Sequence, residues 1–277
     1  MKKARVAING FGRIGRITFR NLIKSIDLEV VAINDLADIH TLAHLLKYDS
    51  IHGILDASVE AVEHNGHFLL KINGRDIMFH NTLDPKEIPW KRYDVDLVVE
   101  STGKFKDRTS LEKHILAGAP KVILSVPPED DSIKTVVLGV NEHIVHTDDL
   151  IISNASCTTN NAAPMIKVVN DLCGIKQAYI TTVHSYTTDQ SLHDQPHPDL
   201  RRARAAGQSI VPTTTGAAKA LTKIFPELSE VIGGCGIRVP VPNGSLTDLT
   251  LNVSRDTTIE EINEAFQKAA SGSLKNI

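Results

Sequence analysis

The residue with the most evident chemistry is Cys157, set in Ser153-Asn154-Ala155-Ser156-Cys157-Thr158-Thr159-Asn160. Before it, Leu150-Ile151-Ile152 reads as a short strand. After it, the apolar residues of Met165 to Leu172 recur at helical spacing, and Gly174 is placed to end the helix. The cysteine therefore falls on a strand-to-helix turn, where unpaired backbone N–H groups stabilise a thiolate and lower its pKa. Ser156, Thr158 and Thr159 add hydroxyls suited to an oxyanion or a phosphate. A buried cysteine flanked by capping residues would look the same in isolation, so the rest of the chain has to decide.

Downstream, the strand Ala178 to Val183 delivers His184, one crossover unit after the cysteine and at a strand end. A histidine so placed can act as the base that ionises a nucleophilic thiol. Thr187 and Asp189 follow it in a loop, and Pro198 to Arg204 concentrates charge, ordinarily the mark of a solvated loop. Thr213-Thr214-Thr215-Gly216 puts hydroxyls at the start of a helix running to Ile224, a second ready anion site. Arg238 stands in an apolar strand, where its charge needs a partner such as a phosphate. Thr258 and Glu261 form a capping box opening an amphipathic helix through Ala270.

The first half supplies the elements of a nucleotide fold. The strand Arg5 to Asn9 runs into Gly10-Phe11-Gly12-Arg13-Ile14-Gly15, a helix follows, and the strand Val30 to Asn34 ends at Asp35. Gly10 permits a tight turn, Gly12 lets backbone approach a pyrophosphate, and Gly15 lets the helix pack closely. Asp35 lies about 20 residues past the last glycine, where a carboxylate accepts from ribose hydroxyls. His67 to Ile72 and Asp76 to His80 flank Asn73-Gly74, a hairpin signal. Further strands are read at Val95 to Glu100, Lys121 to Leu124 and Thr135 to Val140. Ligands in such sheets bind at the carboxyl ends of strands, which nominates Ser101, Thr102, Gly103 and Ser125 as cofactor neighbours.

Length and composition bound these readings. At 277 residues two domains are expected, and a net charge of −3 points to neither nucleic acid nor membrane. No apolar run is long enough to span a bilayer, and the N-terminal apolar run stops at Asn9-Gly10, which argues against an export signal. Three cysteines, Cys157, Cys173 and Cys235, are too few and too scattered for a disulfide framework or a metal site. A reducing, cytoplasmic setting is expected.

Taken together and in order, Asn9 to Arg16, Ser153 to Asn160, His184 to Thr187, Asp199 to Arg204, Thr215 to Lys219 and Arg238 to Pro240 carry a specific resemblance. From about Ala4 to its last residue the chain resembles the glyceraldehyde-3-phosphate dehydrogenases. The resemblance implies an α/β chain: a Rossmann NAD-binding domain, residues 1–155, then an α+β catalytic domain with a mostly antiparallel sheet, residues 156–277. It implies NAD as cofactor, glyceraldehyde 3-phosphate and inorganic phosphate as reactants, and a homotetramer. Cys157 would be the nucleophile and His184 its base. Arg13 and Ile14 would lie against the pyrophosphate, Asp35 would bind the adenosine ribose, and Ser125 would touch the cofactor. Ser156, Cys157, Thr158, Thr215 and Gly216 would hold the attacking phosphate. Thr187, Asp189 and Arg238 would hold the substrate's own phosphate, with Arg202 between the two.

Some positions depart from the family pattern. Asn161 stands where relatives commonly carry a second cysteine, and Leu83 where an arginine often precedes Asp84-Pro85. The family continues past Ile277 into further strands and a last helix, so the expectation is a fragment of a longer reading frame, weakly active and poorly soluble alone. Two other functions compete: the same chemistry on erythrose 4-phosphate, and an inactive fragment that only binds nucleotide. The retained Thr215-Gly-Ala-Ala-Lys219 and Tyr186-Thr187 favour the triose, and the Cys157/His184 pairing favours an enzyme.

Overall fold

A computed structural model describes residues 2–64 and 66–277, which gather into two units. One takes the chain up to Lys134 together with Val145–Asn154; the other takes Thr135–Ile144 and Ala155–Ile277. Among the described residues no helix is long and apolar enough to cross a membrane.

The first unit runs β1 (Ala4–Asn9), α1 (Arg13–Leu22), β2 (Leu28–Asn34), α2 (Ile39–Lys47), a small ribbon of β3 (Tyr48–Asp49) and β4 (Gly53–Ile54), then β5 (Val59–His64), β6 (His67–Ile72) and β7 (Arg75–His80). It continues through β8 (Leu97–Glu100), α3 (Arg108–Leu116), β9 (Val122–Leu124), β10 (Lys134–Thr135) and β11 (Ile151–Ser153). The nine-stranded sheet has the order β10-β11-β9-β8-β1-β2-β7-β6-β5. Strands β11, β9, β8, β1, β2 and β7 pair in parallel, whereas β5, β6 and β7 pair as antiparallel hairpins. Asn73 and Gly74 both take positive φ, as the two-residue hairpin turn requires. From β1 the chain builds outward to β2 and β7, then returns to β8 on the other side of β1. Strand order therefore reverses between β1 and β8, the place where open α/β sheets bind ligands.

The second unit runs α4 (Cys157–Cys173), β12 (Ile175–Ser185), β13 (Val211–Thr213), α5 (Ala217–Ile224), β14 (Ile232–Val239), β15 (Ser245–Val253) and α6 (Ile259–Ser271). Its sheet has the order β13-β14-β12-β15, with only the β12/β14 pair parallel. Ala162, Ala163, Ile166 and Val169 of α4 pack with Leu221 and Ile224 of α5 on Ala178 and Ile180 of β12. Thr258 caps α6 by accepting from Glu261 N, as the capping box predicts.

The helix expected after the cysteine extends back beyond the apolar run of Met165 to Leu172, beginning at Cys157 itself and running through Pro164. A proline there removes one intrahelical hydrogen bond, but the face formed by Ala162, Ala163 and Ile166 is fully buried and holds the helix continuous. The strand expected over Thr135 to Val140 ends at Thr135. Beyond it the Asn141 side chain takes over the backbone, accepting from Val137 N at 2.7 Å and donating to Thr135 O at 2.9 Å. Gly139, at φ 79°, turns the chain between them.

Candidate active site

Strand β11 ends at Ser153, and the chain then turns sharply through Ala155, which is fully buried at φ 57°. That left-handed conformation costs an L-residue about 1–2 kcal/mol, and such strain gathers at functional turns. Next, Ser156 caps α4: its Oγ accepts from Thr159 N at 3.1 Å. Cys157 is thus the first residue of a 17-residue helix, exposed, with Thr158 and Thr159 buried behind it.

His184 approaches from β12, its Nε2 3.2 Å from Cys157 Sγ. Its Nδ1 lies 2.8 Å from Ser185 O and 3.1 Å from Arg238 Nη1, which holds the ring with Nε2 facing the thiol. The Cys157 pKa is lowered, chiefly by this hydrogen bond; burial opposes the shift, while the imidazolium charge and the Thr158 N–H add to it. The His184 pKa is raised by the same bond, with burial and the Arg238 charge opposing. Opposite shifts of this kind favour a thiolate–imidazolium pair.

Parallel pairing sets His184 beside Arg238 on β14. Arg238 Nη1 donates to Ser185 O at 3.0 Å and to Thr187 Oγ1 at 3.4 Å, and lies 3.1 Å from His184 Nδ1. Burial and the neighbouring Arg202 lower its pKa. Arg202 donates through Nη1 to Asp189 Oδ2 at 2.6 Å, through Nε to Thr213 Oγ1 at 2.9 Å, and through Nη2 to Thr214 O at 3.4 Å. Burial pushes the Asp189 carboxyl up, but Arg202 and His197 hold it below its ordinary value. The Asp199 carboxyl is held down at about 2 by Arg201. The loop from Asp199 to Arg204 is solvated as its charge suggests, with Arg201 and Arg204 exposed, but Arg202 within it is mostly covered and ion-paired to Asp189. Thr215 and Gly216 open α5, the Thr215 Oγ1 accepting from Ala217 N at 3.2 Å.

In the other unit, the glycine turn lies at the β1/β8 reversal. Gly10 has φ 90°, and a Cβ there would meet Thr102 N at 2.6 Å. A Cβ on Gly15 would meet Gly10 O at 2.1 Å, so this glycine packs the helix on the turn itself. Gly12 opens α1 with no side-chain cap, and a Cβ on it would meet nothing within 4 Å. Arg13 and Ile14 form the exposed first turn, Ile14 being 52% exposed. One Asp35 oxygen accepts from Phe11 N at 2.6 Å and the other from Ala37 N at 2.9 Å, tying the end of β2 to the glycine turn. The Ser101 hydroxyl donates to Gly10 O at 2.7 Å and that of Thr102 to Glu100 Oε1 at 2.5 Å. Both hydroxyls are thus committed to protein. Gly103 turns at φ 70°, and Ser125 N donates to Glu100 O at 3.0 Å.

Sequence reasoning missed two groups and, in Thr213, named a hydroxyl without its partner. Thr213 anchors Arg202; its burial between exposed neighbours on β13 is a period-two signal too short to read alone. His197, with Nε2 3.5 Å from Asp189, was passed over as one of twelve histidines. The Ser185 carbonyl, which takes both His184 and Arg238, is backbone and has no sequence signature.

Comparison with known proteins bears on both units. Residues 4–108 match the family model described as the NAD binding domain of glyceraldehyde 3-phosphate dehydrogenase, and residues 156–277 match that of its C-terminal domain. The chain is 51% identical over 276 residues to glyceraldehyde-3-phosphate dehydrogenase 2 of Bacillus subtilis, covering 99% of the chain and 80% of that protein. It is 52% identical over 274 residues to the glyceraldehyde-3-phosphate dehydrogenase of Geobacillus stearothermophilus, with the same coverage. Against that of Borreliella burgdorferi it is 50% identical over 272 residues, covering 96% and 79%.

Proposed function

The chain belongs to the glyceraldehyde-3-phosphate dehydrogenase family, and from that membership we propose which of its residues carry the reaction. The activity is NAD-dependent oxidation of glyceraldehyde 3-phosphate, with inorganic phosphate, to 1,3-bisphosphoglycerate. The observation that carries the residue assignment is the 3.2 Å contact between Cys157, at a helix start, and the His184 base.

NAD fits the glycine turn. The first N–H groups of α1 have no side-chain cap and Gly12 leaves open space before them, as a pyrophosphate needs. Gly10, Gly12, Arg13, Ile14 and Gly15 would hold the phosphates, Asp35 the adenosine ribose, and Ser101, Thr102, Gly103 and Ser125 the rim at the strand ends. When bound, NAD supplies the hydride acceptor.

The residues of the second unit do the rest. The Cys157 thiolate adds to the aldehyde carbon, and the His184 imidazolium returns its proton to the oxyanion formed, giving a hemithioacetal and freeing Nε2. His184, with Nδ1 held by Ser185 O, takes the hemithioacetal hydroxyl proton on Nε2 as the carbon is oxidised. The resulting thioester is attacked by phosphate, and Cys157 leaves as thiolate. Arg238 and Thr187 would hold the substrate phosphate, with Asp189 serving the same site through its ion pair to Arg202. Ser156, Thr158, Thr215 and Gly216 would hold the attacking one, with Arg202 bridging Asp189 to the Thr213 hydroxyl and the Thr214 carbonyl between them. Arg238 is suited to this because its partners among the described residues are a carbonyl, a hydroxyl and an imidazole rather than a carboxylate, whereas Arg202 is ion-paired with Asp189.

Steady NADH formation from glyceraldehyde 3-phosphate that depends on inorganic phosphate is the expected result, and its absence would defeat the reading. The same assay is expected to prefer NAD over NADP clearly, because Asp35 would face the 2′-phosphate with a like charge; equal efficiency with both would remove Asp35 from the ribose site. We place the protein in the cytoplasm, in keeping with its three unpaired cysteines. A homotetramer is supported by the outer face of the second sheet, where Tyr179 is 48% and Leu246 61% exposed. A monomer mass by light scattering would contradict it.

A further inference from the structure

Beneath the glycine turn lies a buried polar chain to which the reaction assigns no part. Asn9, Asn34, Glu100, His114 and Trp90 are each at most 4% exposed, and Glu100, His114 and Trp90 are fully buried. A buried carboxylate persists only when its lone pairs are met. Here Glu100 Oε2 accepts from Asn9 Nδ2 at 2.6 Å and from His114 Nε2 at 3.1 Å. Its Oε1 accepts from Thr102 N at 2.8 Å and from Thr102 Oγ1 at 2.5 Å.

The direction of every bond in the chain is determined from its two ends. At one end the Thr82 backbone N–H must donate, so it meets Asn34 Oδ1 at 2.9 Å. Asn34 Nδ2 is then turned to Asn9 Oδ1 at 2.8 Å, and Asn9 Nδ2 to Glu100. At the other end Trp90 Nε1 can only donate, and does so to His114 Nδ1 at 3.0 Å. The His114 proton therefore sits on Nε2 and points at Glu100. Donors converge on one acceptor-only group from both sides.

What that group holds is the cofactor turn. Glu100 grips Thr102 by N–H and hydroxyl, and the Thr102 backbone is the surface on which Gly10 rests, since a Cβ on Gly10 would lie 2.6 Å from Thr102 N. Through Asn9 it also grips the residue before Gly10. Both turns at the β1/β8 reversal are thus braced by one side chain. We propose that Glu100 is a positioning residue for the dinucleotide, holding the Gly10 and Ser101–Gly103 turns in binding geometry without touching the cofactor. This rests on the reading that the Gly10 turn binds NAD.

The test is Glu100→Gln. The amide can still accept from Thr102, but its NH2 would face the donors of Asn9 and His114, and His114 cannot turn its lone pair to it while Trp90 donates to Nδ1. The KM for NAD is expected to rise about tenfold, with kcat at saturating NAD and the rate of Cys157 alkylation within about twofold of the parent. Adding Trp90→Phe frees His114 to move its proton to Nδ1 and accept from the new amide, which relieves one of the two clashes, so the double variant should recover part of the NAD affinity. A merely structural role would make the second substitution worse, not better. Nitrogen-15 NMR of His114 in the unaltered protein should show the Nε2–H tautomer, a readout independent of how any variant folds. An unchanged KM for NAD in the Gln variant, a double variant weaker than the single, or an Nδ1–H tautomer would each overturn the proposal. Gly12→Val serves as control: if it leaves NAD binding intact, the cofactor-turn reading fails instead.

Discussion

Replacing His184 with asparagine is expected to cut turnover by about 10²- to 10⁴-fold, the range a positioned general base contributes. The argument starts at the 3.2 Å contact between Nε2 and the Cys157 sulfur. That bond is the largest influence lowering the thiol, so its loss leaves burial, which works in the opposite direction, opposed mainly by Thr158. The thiol then moves back up toward the free value of about 8.5. Alkylation of Cys157 by iodoacetamide at pH 7 should therefore slow in the variant, and the two proteins should converge at high pH, where both are thiolate. In the parent, Cys157 should label fastest of the three thiols: Cys173 is buried with its sulfur on Val169 O, and Cys235 is half-buried near Thr181. Equal labelling of all three, or a pH profile indifferent to His184, would remove the activated thiolate from the mechanism.

Gly10→Ala and Gly12→Ala are the same chemical change two residues apart, and opposite outcomes are expected. At Gly10 the new methyl would lie 2.6 Å from Thr102 N and 2.8 Å from the Ser101 carbonyl carbon, at a φ of 90° that alanine avoids. Backbone cannot yield as a side chain does, and the left-handed conformation alone costs about 1–2 kcal/mol. Adding the steric term, we expect a loss of roughly 3–5 kcal/mol, the range of the severe single substitutions, read as a large fall in melting temperature. At Gly12 no protein atom lies within 4 Å of the added carbon and φ is −68°. Stability should move by no more than about 0.5 kcal/mol, while NAD affinity falls by about tenfold or more because the methyl takes the space before the helix N-terminus. A Gly10→Ala protein that melts like the parent would contradict the packing described. A Gly12→Ala protein with unaltered NAD affinity would place the pyrophosphate elsewhere.

What could be read along the chain was whatever local physics decides. The tight turn at Gly10, the open approach at Gly12, the hairpin at Asn73-Gly74 and the capping box at Thr258 each need only a few consecutive residues, and each stands in the structure. The place of Cys157 was legible for the same reason, as a cysteine at a strand-to-helix turn. Even there the helix begins at Cys157 and passes through Pro164, because burial of Ala162, Ala163 and Ile166 against the second sheet outweighs a local break. The strand expected over Thr135 to Val140 gave way to a turn that the Asn141 side chain organises. Only tertiary structure could set Arg238 beside His184, since the two are 54 residues apart and meet through the parallel register of β12 and β14. The Ser185 carbonyl that orients His184 is common to every residue type and cannot be singled out in a sequence. Glu100 was likewise invisible: its partners Asn9 and His114 are 91 and 14 residues away, and a glutamate ending a strand gives no sign of the donors that will surround it. Short-range conformational preference and residue chemistry are written in the chain itself, whereas hydrogen-bond partners across a sheet exist only once its register has been chosen.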